Sequence, residues 1–109
     1  MQVHVNTDAN VSGHEALARA AEMVVAEALA HLGTRISRVE VHLADENGAK
    51  GGPDDQRCTM EARIEGHGPI AVTHHASSLQ EAVDGAASRL RHALDSKFER
   101  LDDRERSHL

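Results

Sequence analysis

Nine histidines, one cysteine and a run of arginines are the side chains of this 109-residue chain that could do chemistry. His74 and His75 adjoin in "AVTHHASSLQEAV". Neighbours in a strand point to opposite faces, so the pair cannot hold one ion between them. Parity sends His74 toward any covering layer. It puts His75 on the same face as His42 and His4, where three imidazoles would make that face sensitive to pH. No His-x-x-x-His, cysteine pair or Cys/His cluster occurs, so no metal site is expected. Cys58 alternates with Met60 and Ile64, which assigns it to the core rather than to nucleophilic work. Ser77 and Ser78 read as helix-capping residues, and there is no Gly-x-Ser-x-Gly elbow or carboxylate pair in an apolar setting. The expectation is a protein that is not an enzyme, with no catalytic residue and no cofactor. "NGAKGGPDD" lacks the Gly-Lys-Ser/Thr ending of a phosphate loop, and Asp54 and Asp55 would repel phosphate, so residues 45–56 read as a mobile loop.

The basic residues remain. Arg89, Arg91, His92, Lys97 and Arg100 fall in "SLQEAVDGAASRLRHALDSKFERL", and Arg35 and Arg38 lie after an earlier helical pattern. Cations late in a helix complement its dipole, with Glu81 and Asp84 at the other end. Asp95, Glu99, Asp102 and Asp103 dilute the basic patch. The chain carries 12 Lys and Arg against 18 Asp and Glu, a formal charge of −6. That balance argues against a general nucleic-acid binder, DNA included, because phosphate binding draws on an excess of Lys and Arg.

These residues need elements to hold them. Residues 2–6, "QVHVN", alternate as a short half-buried strand. Ser12 and Glu15 have the spacing of a capping box, and Leu17, Ala21, Val24, Ala28 and Leu32 then recur at helical spacing until Gly33 ends the helix. Residues 37–44 alternate Val39, Val41 and Leu43 against Arg38, Glu40 and His42. Residues 57–65 set Cys58, Met60, Ala62 and Ile64 against Arg57, Thr59, Glu61 and Arg63. "GHGP" turns the chain into residues 70–75, with Ile70 and Val72 inward. A second capping box, Ser78 with Glu81, opens a long helix along Leu79, Val83, Ala86, Leu90, Leu94 (or Ala93) and Leu101, with Phe98 near that face. Gly85 costs about 1 kcal/mol against Ala in a helix interior, which points to a close contact there.

The order is β-α-β-β-β-α. A helix between the first two strands implies a right-handed parallel crossover, and hairpin-like connections place the rest in sequence order 1-2-3-4. Each strand has one apolar face, so both helices cover one side of a four-stranded mixed sheet and leave the other wet. This is an α/β (α+β) two-layer sandwich of one domain, residues 1–101, with a frayed or disordered tail at 102–109. One Phe, no Tyr and no Trp leave burial to aliphatic residues and alanine. No apolar run approaches the roughly 18 residues that span a bilayer, the start lacks the pattern of a signal peptide, and a single cysteine suits a reducing compartment. The expectation is a cytoplasmic protein without a membrane partner.

With this order assembled, the chain resembles the ribosome hibernation-promoting factors and ribosome-associated inhibitors, the sigma-54 modulation protein family. The resemblance rests on "MQVHV", "RVEVHL", "MEARIEG" and above all "SLQEAVDGAASRLRHALDSKFERL", and covers about residues 1 to 101. It implies a fold related to double-stranded-RNA-binding domains. It also implies a short-form, non-enzymatic protein that binds the small ribosomal subunit through 16S rRNA and inhibits or stores idle ribosomes. Arg89 matches the basic residue before the leucine of the family's second helix, and His92 falls near another basic position. Arg91, Lys97, Arg100, Arg35 and Arg38 complete the expected rRNA-binding set. Asp95 and Ser96 stand where the family usually has Lys, which marks a divergent acidic member and lowers the expected affinity. "HHASS" replaces an acidic segment before that helix. The alternative is a protein-binding regulatory module on the same fold that has lost rRNA affinity, with its partner at the open sheet face.

Overall fold

Alternation builds the sheet, and a computed structural model of the chain describes it for residues 1–8, 11, 14–46 and 55–107. The elements are β1 (Gln2–Thr7), α1 (His14–Leu29), a 3-10 segment (Ala30–Arg35), β2 (Ile36–Asp45), β3 (Gln56–Ile64), β4 (Ile70–Ala76) and α2 (Leu79–Ser107). The strands form one sheet in the order β1-β2-β3-β4. β1 runs parallel to β2, and the other two pairings are antiparallel. Helix–sheet contacts put α2 on β3 and β4 and α1 on β1, with α1 against α2. The Ser12 capping residue and the centre of the Gly-rich loop lie outside the described residues.

The core sits between the sheet and the helices. Val39, Val41, Met60, Ala62 and Cys58 from the strands meet Ala21, Val25, Ala82, Ala86, Leu90 and Leu94 from the helices, each at most 1% exposed. Burial pushes the Cys58 thiol from its ordinary 9.0 up to about 12, so it stays protonated and inert near neutrality. Its assignment to the core is correct.

Three local features depart from simple periodicity. Regular helix stops at Leu29, and the tighter 3-10 turn drops Leu32 into the core before Gly33, at φ 56, redirects the chain. β2 begins with a register shift between Ile36 and Arg38. The extra residue turns Ile36 inward, to 1% exposure, where strict alternation would send it to solvent. Ser37 then donates its hydroxyl to the Arg63 carbonyl at 3.2 Å. At α2, Ser78 Oγ accepts the Glu81 backbone N–H at 3.1 Å, as a capping residue should. The Glu81 carboxylate in turn accepts the Ser77 hydroxyl at 2.7 Å.

The tail corrects an expectation. α2 continues through Ser107, so most of the segment read as frayed is helix. Asp102 is held by Arg35, which ties down the turn where fraying was expected to begin. At about 1.5 Å per residue, the 29 residues of α2 extend roughly 43 Å. The last buried core residue is Phe98, and the helix carries its final turns beyond the core.

Candidate nucleic-acid interface on the second helix

The sequence pattern gathers cations on α2, and the fold divides them between its two flanks. One flank faces α1 and the 3-10 segment. There His31 Nε2 donates to Asp95 Oδ1 at 2.6 Å. Arg35 grips Asp102 with both terminal nitrogens, at 3.0 and 3.3 Å, while its guanidinium lies 3.9 Å above the Phe98 ring. A planar cation over the one benzene ring of the chain, closed by a bidentate carboxylate, is a specific clamp. Higher on this flank, Val24, Glu27, Ala28, Asp84, Ala87, Ser88 and Arg91 line an open groove of about 400 Å³ between the helices. Arg91 thus shares its surroundings with two carboxylates.

The other flank meets the β4 edge at Arg89, and Lys97, Arg100 and Arg104 follow along the same side of the helix at helical spacing. Arg89 donates Nη1 to the Thr73 carbonyl at 3.2 Å, so it lies along the sheet edge with the rest of its guanidinium exposed. Lys97, Arg100 and Arg104 surround one small hollow with Leu101. Among the described residues, no carboxylate lies in ion-pair contact with any of these four. Asp95 and Asp102 belong to the opposite flank and are already engaged there. The positive charge of the β4 flank is therefore free to meet an anion.

The seven sequence candidates separate accordingly. The fold gathers Arg89, Lys97 and Arg100 on one flank. It leaves His92 exposed on the outer face of α2 and puts Arg91 in the interhelical groove. Arg35 is taken up by its clamp. Arg38 is on the far side of the sheet, in ion-pair contact with Glu40 at 3.1 Å, so it does not join the group. Arg104 is the residue that sequence reasoning missed. It lies one helical turn past Arg100, in the tail segment that was expected to fray and that α2 carries as helix.

The open sheet face is different in kind. Arg38–Glu40, Arg57–Glu46 and Arg63–Glu61 pair at 3.1 to 3.2 Å. His75 also reaches Glu46, at 3.3 Å, and Thr59 bonds Thr73 at 2.9 Å. Parity holds for the two adjacent histidines: His75 is exposed there, and the His74 ring turns under α2 against Gly85. His42 is opposite Thr59 while His75 is opposite Arg57, so β3 separates the two imidazoles. Among the described residues, no three His, Cys, Asp or Glu side chains come together as a metal site, and no helix is long and apolar enough to cross a membrane.

Known proteins bear on this arrangement. The chain is similar in fold to the N-terminal domain of Protein Y from Thermus thermophilus, at 19% identity and a TM-score of 0.67, over 85% of this chain and 94% of that one. It is also similar to a ribosomal subunit interface protein from Coxiella burnetii, at 16% identity and a TM-score of 0.68, over 91% and 98%. No curated protein matches. The family profile described as sigma 54 modulation protein / S30EA ribosomal protein matches residues 4–102, nearly the whole described fold, and the chain belongs to that family.

Proposed function

We propose that this protein is a cytoplasmic, non-enzymatic ribosome-associated factor that binds rRNA of the small subunit and holds idle ribosomes inhibited or in store. The observation that carries the reading is the cationic flank of α2, Arg89 with Lys97, Arg100 and Arg104, which meets no carboxylate among the described residues, in a chain of the S30EA family. Phosphate contacts need cations whose charge is not neutralised by an internal carboxylate, and these project from one side of a long helix. The names of the two structural neighbours, one of them a ribosomal subunit interface protein, agree with this. Arg91 and His92 lie close enough along α2 to add contacts; Arg35 and Arg38, being paired, contribute least.

Sucrose-gradient sedimentation with purified small subunits, repeated as salt is raised, tests the reading. Co-migration at low salt with a steep loss at higher salt is expected. A protein that stays at the top of the gradient at low salt overturns it.

The second reading, a protein-binding regulatory module without rRNA affinity, draws on the charge of −6 and on the charge-balanced open face. Pairing of that kind suits a polar protein surface better than a polyanion. Retrieval of one protein partner without ribosomal subunits, lost on changing Thr59 and His42 of that face, would favour it.

A further inference from the structure

Gly85 lies inside α2, where glycine is a poor helix former, and nothing in the helix backbone calls for it. The reason is across the interface. A methyl group placed on Gly85 would overlap Cδ2 and Nε2 of the His74 ring and lie 2.7 Å from its Cγ. His74 stands on the helix side of β4, opposite Cys58 of β3, and is half-buried. The ring fills the hollow that the missing side chain leaves. One residue earlier on β4, and one turn later on α2, Thr73 O accepts Arg89 Nη1 at 3.2 Å. Thr73 is itself fastened to Thr59 of β3 by its hydroxyl, at 2.9 Å. Ala82 and Ala86, fully buried on either side of Gly85, let the helix lie close to the sheet along this line.

We propose that the His74 ring seated under Gly85 is a positioning device for RNA binding: it sets the height and register of α2 on β4, and so aims Arg89 and the cationic flank beyond the sheet edge. The inference rests on the reading of that flank as the rRNA surface. His74 itself touches no RNA in this scheme. Its role is exercised through Arg89, whose single bond to the β4 backbone holds only while α2 keeps its place. A side chain at 85 lifts the helix from the ring and takes the guanidinium away from Thr73. The seat also explains why a half-buried imidazole directly precedes the exposed His75: the two do separate work on the two sides of β4.

The test uses the full chain in four forms: wild type, Gly85→Ala, His74→Ala and the double variant. Two readouts are taken, the melting temperature and the affinity for purified small subunits as a function of salt. Alanine is the better helix former, so Gly85→Ala should lower Tm in the presence of His74 and raise it in the His74→Ala background. In binding, Gly85→Ala should weaken affinity about tenfold and reduce the salt slope by about one unit, the signature of one lost phosphate contact. The double variant should recover most of that loss. Arg89→Ala added to Gly85→Ala should cost little more, because the contact is already gone.

Absence of the sign reversal in Tm overturns the seat. A sign reversal with unchanged affinity and slope in folded Gly85→Ala overturns the positioning role while leaving the rRNA reading intact. Additive losses from Gly85→Ala and Arg89→Ala also overturn it, because they mean that the two act separately. A wild-type protein that fails to bind small subunits discards the rRNA reading and with it the positioning role, and the Tm pair alone then judges the seat.

Discussion

The two flanks of α2 carry similar residues and do opposite things with them. Toward α1, cations and carboxylates meet: His31 with Asp95, Arg35 with Asp102. Toward β4, Arg89, Lys97, Arg100 and Arg104 meet no carboxylate among the described residues. Net charge averages over this division and hides it. A chain at −6 can still present a cationic strip, because Asp95 and Asp102 of α2 are engaged on the opposite flank. Asp95 therefore subtracts less charge from the β4 flank than a linear reading of the helix implies.

Four changes would break or sharpen that contrast. Leu94→Ala removes a fully buried side chain beneath both flanks and should cost about 2–5 kcal/mol of stability by chemical denaturation. An effect confined to one flank would mean that they are not supported by a common core. Removing Lys97, Arg100 and Arg104 together, each to Ala, should lower affinity for small subunits on the order of 100-fold and flatten the salt slope by about three units. Stability should hardly change, and a slope that stays put would separate this hollow from RNA binding.

Arg35→Ala tests the other flank. It loses the ring contact and a half-exposed ion pair, together worth about 1 kcal/mol after solvent screening, and the salt slope should stay unchanged. The smallest expected effect comes from Asp95→Lys, which puts there the residue type that the sequence resemblance leads one to expect. It should lower stability by at most about 0.5 kcal/mol through loss of the His31 contact and leave the slope where it was. A slope steeper by about one unit would show that RNA reaches both flanks, and the contrast would fail.

How much of this could be read in advance depended on the range of the interaction. Strand alternation placed Val39, Val41, Cys58 and Met60 in the core, and it sent His74 and His75 to opposite sides, because side-chain direction in a strand is a local property. The parallel crossover and the strand order followed from element order alone. Ile36 escaped, because a single extra residue at the head of β2 reverses its direction and leaves no mark on composition. The pairing of Arg35 with Asp102 escaped for another reason: it joins residues far apart in the chain, brought together only once α1 and α2 have packed. Gly85 lies between these cases. Its cost in a helix signalled a close contact, but the ring that occupies the space could be identified only in three dimensions. Arg104 lies in the segment that was expected to fray, and only the continuation of α2 brings it beside Arg100.

Phe98 holds one further use. With no tyrosine or tryptophan in the sequence, it supplies the only benzene ring in the protein, and that ring lies against a guanidinium at the point where α2 leaves the core. A fluorine atom placed on it would give a single resonance, free of overlap, located about two-thirds of the way along the helix. Its chemical shift would report whether the clamp stays closed while the far end of α2 engages a large partner, and it would do so in mixtures where the protein is almost transparent to near-ultraviolet absorption.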